Sequence, residues 1–96
     1  MAEEKVRCRT HTSGPDGGTN IPAWKFEAMR HAIFEVLADG PLKVADMKEA
    51  VRSHLTKDEL DNLGALGWHM TTIRLELEVR GDLKRLQGSP VLVALS

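Results

Sequence analysis

This sequence predicts an α+β fold, and three observations carry the prediction. Apolar residues recur at helical spacing in three stretches, "KFEAMRHAIFEVL", "MKEAVRSHL" and "HMTTIRLELEV". Turn formers punctuate them, with Gly40-Pro41 after the first and Gly81 after the third. The chain then closes on "DLKRLQGSPVLVAL", which reads as a β-hairpin turning at Gln87–Pro90, since Pro90 can only open a strand. Helix, short strand, helix, helix, hairpin is the winged helix-turn-helix order: three helices with a C-terminal β-hairpin wing.

Taken in order, residues 1–20 differ from the rest and form an N-terminal arm or tail, leaving 21–96 as the winged-helix domain. "KVRCRT" alternates Val6 and Cys8 with Lys5, Arg7 and Arg9, which suits a short half-buried strand. Ser13–Gly18 stacks turn formers, so the segment is either a loose tail or a strand-like arm that turns back into the first helix. That helix starts near Pro22, where the missing N–H costs nothing, and continues to Asp39. Phe26, Met29, Ile33, Val36 and Leu37 share its inward face. "LKV" is one short extended segment. The second helix covers Ala45 to Leu55, with Met47, Val51 and Leu55 inward. "TKDELDNLGALG" holds at most one irregular helical turn. The third helix then runs from Gly67 to Arg80.

Ninety-six residues make one domain. A composition of 42% hydrophobic and 28% charged residues is that of a globular chain rather than a disordered one. The net charge of −1 excludes a global positive field, so any anion-binding surface must be local. Cys8 is the only cysteine, which excludes an intramolecular disulfide and points to a reduced, cytoplasmic setting. "MAEEKVRCRT" lacks an apolar run of signal-peptide length, and no stretch is long enough to enter a membrane.

The stretches "KFEAMRHAIFEVL", "GPLKVADMKEAVRSHL" and "GWHMTTIRLELEVRGDL" resemble a family of small, uncharacterised bacterial winged-helix proteins. The similarity lies in the Lys-aromatic-Glu-Ala-Met-Arg helix start (Lys25 to Arg30), the "AVR-HL" second helix and the Gly-Trp third helix. It runs from near Trp24 to near Pro90 and implies the fold, with no chemistry attached. More distantly, "LELEVRGDLKR" is similar to the helix-to-wing junction of MarR-type repressors, which implies DNA binding by analogy alone.

Counting back from Gly81, Leu77, Ile73 and Met70 form the inward stripe of the third helix. Trp68, His69, Thr71, Thr72, Leu75 and Glu76 are left outward. Thr71, Thr72 and His69 suit base edges or phosphates, whereas Glu76 and Glu78 repel a phosphate backbone. Arg74 on the helix and Lys84 and Arg85 on the wing are the candidate backbone contacts, with Lys43 and Lys48 nearby and Arg7 and Arg9 joining them if the arm is ordered. Against this, Trp68, Thr72, Leu75 and Val79 make a second, mostly apolar stripe opposite the first. Something covers such a stripe: the arm, a second copy or another protein.

Two functional readings follow. The first is duplex DNA binding in a regulatory role, through His69, Thr71, Thr72, Arg74, Lys84 and Arg85. The second is association with itself or another protein through Trp68, Leu75 and Val79. No catalytic, cofactor or metal constellation appears. His11, His31, His54 and His69 lack ligand spacing, and one cysteine makes no zinc site. Ser13–Gly18 is no phosphate loop, and "KDELDN" misses the oxygen spacing of a calcium loop. Cys8 is expected to be an inert thiol despite Arg7 and Arg9 beside it. The chain is expected not to be an enzyme.

Overall fold

A computed structural model describes residues 4–9, 18–88 and 90–96 of the chain, an α+β structure with four helices and two small antiparallel sheets. Most of Ser13–Gly18, His11 and the hairpin-tip residue Ser89 lie outside the described residues.

The N-terminal arm is a hairpin. Strand β1 (Lys5–Cys8) pairs antiparallel with β2 (Thr19–Pro22), Val6 opposite Ile21 and Cys8 opposite Thr19. Alternation sinks Ile21 and Cys8 into the core, each 2% exposed. Gly18 sits where the chain returns, at φ +119°, and a Cβ there would lie 2.8 Å from the Cys8 carbonyl oxygen. Glycine alone fits both the backbone angle and the approach. The sequence expectation left the arm open between tail and strand and did not foresee β2. The Glu4 carbonyl accepts from Ala23 N–H at 2.8 Å, so the arm also closes the first turn of the first helix.

Helix α1 (Ala23–Leu37) begins behind Pro22 and buries Phe26, Met29, Ala32, Ile33 and Leu37. It ends two residues short of the expected Asp39. Strand β3 (Leu42–Lys43) follows, then α2 (Val44–Arg52), which buries Met47 and Val51. Leu55 is buried beyond the end of α2. Asp46 in the first turn and Arg52 in the last complement the helix dipole.

The expected irregular turn is a complete helix, α3 (Lys57–Leu63). Its capping box is reciprocal: Glu59 N–H donates to Thr56 Oγ1 at 3.1 Å, and Thr56 N–H donates to Glu59 Oε1 at 2.8 Å. Helix α4 (Leu66–Arg80), the third helix of the sequence reading, ends at Gly81, φ +85°. Asp82 N–H donates to the Leu77 carbonyl and Gly81 N–H to that of Glu78, the paired bonds of a Schellman stop.

Strands β4 (Leu83–Leu86) and β5 (Leu92–Leu95) form the expected hairpin, and β3 joins its far side, giving the order β3-β5-β4. Leu83, Val93, Ile73, Leu77, Met47, Phe26 and Ile33 belong to one continuous core with Ile21 and Cys8 of the arm. Helix α4 crosses that core between the arm and the β4–β5 hairpin, and this placement builds the candidate site.

Candidate functional site

At about 100° per residue, Met70, Ile73 and Leu77 point into the core, and all three are buried. On the opposite arc lie Trp68, Thr71, Thr72, Leu75 and Val79. Trp68 is 48% exposed, Thr71 is exposed, and the other three are half-buried. None of the five carries a charge. The expectations for three residues of this helix, His69, Glu76 and Arg74, need correction. His69 is buried, because it lies only about 40° from Ile73 on the wheel, and its Nδ1 is 2.7 Å from the Ala65 carbonyl oxygen. Glu76 is fully buried rather than outward.

Glu76 closes one flank of the arc. Its carboxylate accepts from Arg9 Nε at 3.0 Å, Arg9 Nη2 at 2.9 Å, Arg9 backbone N–H at 2.8 Å and Arg80 Nε at 2.6 Å. Burial alone would raise this carboxyl. The hydrogen bonds from Arg9 and Arg80 and the charge of Arg9 outweigh burial and hold it down at about 2. The same bonds raise Arg9. Arg80 additionally lies 4.8 Å over the Phe26 ring.

Glu78 closes the other flank. It accepts from Arg85 Nε of the wing at 2.5 Å and from Arg74 Nη1 one turn back. Arg74 is buried, and desolvation lowers its pKa against the pull of Glu78. Its Nε is a buried donor with no partner among the described residues. Arg74 was expected among the DNA contacts. Its side chain, 9% exposed, is instead buried as one half of an ion pair with Glu78.

The arc is therefore bordered by two Arg–Glu–Arg triads, four arginines against two carboxylates. Arg9, Arg80 and Arg85 have side chains 44%, 38% and 48% exposed. The described bonds of Arg80 and Arg85 to these carboxylates run through Nε. Lys84 is exposed beside Arg85, and the Lys48 side chain passes the start of α4, 3.6 Å from where a Gly67 Cβ would stand. Of the candidate DNA contacts, the structure thus brings Thr71, Thr72, Lys84 and Arg85 to the surface of α4 and the wing. His69 and Arg74 are withdrawn. Sequence reasoning overlooked Arg80, although its spacing four residues after Glu76 was a usable signal.

Cys8 feels the charges of the Glu76 triad. Burial pushes its thiol up to about 11, and the Glu76 charge adds to that, against smaller opposing effects of Arg80 and Arg9. At pH 8 its reaction with a disulfide reagent is expected to be at least about a hundredfold slower in the native protein than in urea. Equal rates would show that the arm does not hold Cys8 against the core.

Elsewhere, an open groove of about 610 Å³ lies between the start of α1 and α3, lined by Pro22, Trp24, Lys25, Asp58, Glu59 and Asn62. His31 and His54 are exposed, as expected of surface residues. Among the described residues no three His, Cys, Asp or Glu side chains converge to hold a metal ion. No helix of the described residues is long and apolar enough to cross a membrane.

Residues 5–93 match a family described as Family of unknown function (DUF6958), a span that includes strand β1 as well as the helices and the wing. No curated protein and no solved structure matches the chain.

Proposed function

The chain belongs to the family of unknown function DUF6958, and from its own residues we propose that it is a non-enzymatic, cytoplasmic winged-helix module that docks on duplex DNA in a regulatory role. In this reading residues 21–96 are the winged helix and 1–20 its arm. The element order α1-β3-α2-α4-β4-β5, with α3 inserted, and the sheet order β3-β5-β4 support the winged-helix assignment. The two arginine triads beside the uncharged arc of α4 carry the functional one.

A helix about 10–12 Å across fits a major groove about 12 Å wide. In that position the groove walls place phosphates along both flanks of the helix. Arg9 and Arg80 meet one wall and Arg85 meets the other, while Lys84 leaves the opposite face of β4. Glu76 and Glu78, which looked repulsive in the sequence, are buried and orient the guanidinium groups. A net charge of −1 is no obstacle when the positive charge is local.

The test is a salt titration of binding to random-sequence duplex DNA, followed by fluorescence anisotropy. Three or four phosphate contacts give a slope of log K against log salt of about −3 to −4. Absence of binding at low salt would overturn the reading.

The exposure of Trp68 favours a second reading, association with another protein or a second copy through Trp68, Leu75 and Val79. Light scattering on the same sample separates the two. A dimer that ignores DNA at low salt would establish the second, and a monomer with the steep salt slope the first.

A further inference from the structure

The arc of α4 has an unusual composition for a helix in a groove, and it narrows what such a helix reads. Guanine is read through Arg or Lys, adenine through Asn or Gln, and cytosine through a carboxylate. The arc Trp68–Thr71–Thr72–Leu75–Val79 contains none of these. Arg9, Arg80 and Arg85 stand at its borders with Nε bound to Glu76 or Glu78, Arg74 is buried, and both carboxylates are turned away from the surface. What remains on the arc are two threonines and apolar side chains, Trp68 and Thr71 exposed and Thr72, Leu75 and Val79 half-buried.

Thymine is the base whose major-groove edge matches that set: an O4 acceptor beside a C5-methyl group. A threonine hydroxyl donates to O4, while Leu75 and the threonine methyls cover the C5-methyl. From this we infer that α4 recognises thymine-rich duplex through pyrimidine methyl groups, with Thr71, Thr72 and Leu75 as the specificity-determining residues. Trp68, at the first turn and 48% exposed, extends the apolar contact to a neighbouring step. This inference rests on the DNA-docking reading. The triads supply affinity irrespective of sequence, and the arc supplies the preference.

The experiment compares a short thymine-rich duplex with the same duplex carrying deoxyuridine at every thymine, by anisotropy at one salt concentration. The exchange removes only methyl groups and keeps every hydrogen-bonding atom. Each methyl covered by Leu75 or a threonine is expected to tighten binding about three- to fivefold. The difference is expected to shrink in Leu75→Ala, whose half-buried site lets the fold survive. Trp68→Ala, at an exposed position, gives a second check. Equal affinity for the two duplexes, with binding intact, overturns methyl reading and leaves DNA docking standing. A difference that persists unchanged in both variants overturns the assignment to the arc. No binding to either duplex overturns the docking reading itself.

Discussion

Replacing Glu76 by Gln is expected to destabilise the protein by about 2 kcal/mol and to loosen the arm from α4. Arg9 and Arg80 both depend on this carboxylate, and Glu76 is fully buried. The figure is kept below the full linkage value because Arg9 is 44% exposed and partly screened by water. The folded carboxyl titrates at about 2, and an unfolded one at about 4.3. Its contribution is therefore complete above about pH 5 and disappears as pH falls toward 2. Urea denaturation across that range should show wild-type stability dropping by about 2 kcal/mol more than that of Glu76→Gln. Parallel pH profiles would contradict the clamp. Cys8 labelling reports the arm directly and should accelerate in the variant.

The second large effect concerns binding. With Arg80→Gln and Arg85→Gln together, the salt slope is expected to fall by about 2, one phosphate contact each. At 0.1 M salt that amounts to about 1.8 decades of affinity, roughly sixtyfold. Glutamine keeps a hydrogen-bonding stem near the buried carboxylates, and Arg9 and Arg74 remain to neutralise Glu76 and Glu78. Circular dichroism should therefore report a folded double variant. A folded variant with unchanged slope would remove the triads from the interface and favour protein association through Trp68.

The inward faces of the helices were legible because burial there follows spacing alone. Phe26, Met29, Ile33, Met47, Val51, Met70, Ile73 and Leu77 are all buried as the periodicity required. The β4–β5 hairpin was legible from its turn formers. The α3 capping box, Thr56 to Glu59, stands in the sequence as a threonine followed three residues later by glutamate, a pattern that marks a helix start. Strand β2 was harder. "TNIP" is four residues long, and its partner lies across the turn-rich segment.

The charged residues of α4 were legible in type but not in role. Glu76 looked like an outward, repelling carboxylate because its main partner, Arg9, is 67 residues away in the chain. No helical wheel contains that contact. His69 was set outward by polarity, although its angle already placed it near the core. Arg74 reads as a surface cation in the sequence, whereas its side chain is buried against Glu78. Local pattern thus marks the apolar core, while pairings between distant elements decide which charges reach the surface.

The most direct measurement is a nuclear magnetic resonance titration of the labelled protein with duplex DNA at low salt. Docking through α4 is expected to shift the Trp68 indole, Thr71, Thr72, Leu75 and the Arg80 and Arg85 Nε–H signals. The Trp24 indole in the α1–α3 groove should stay in place. Shifts confined to Trp24 and its neighbours, or none at all, would contradict α4 as the nucleic-acid surface.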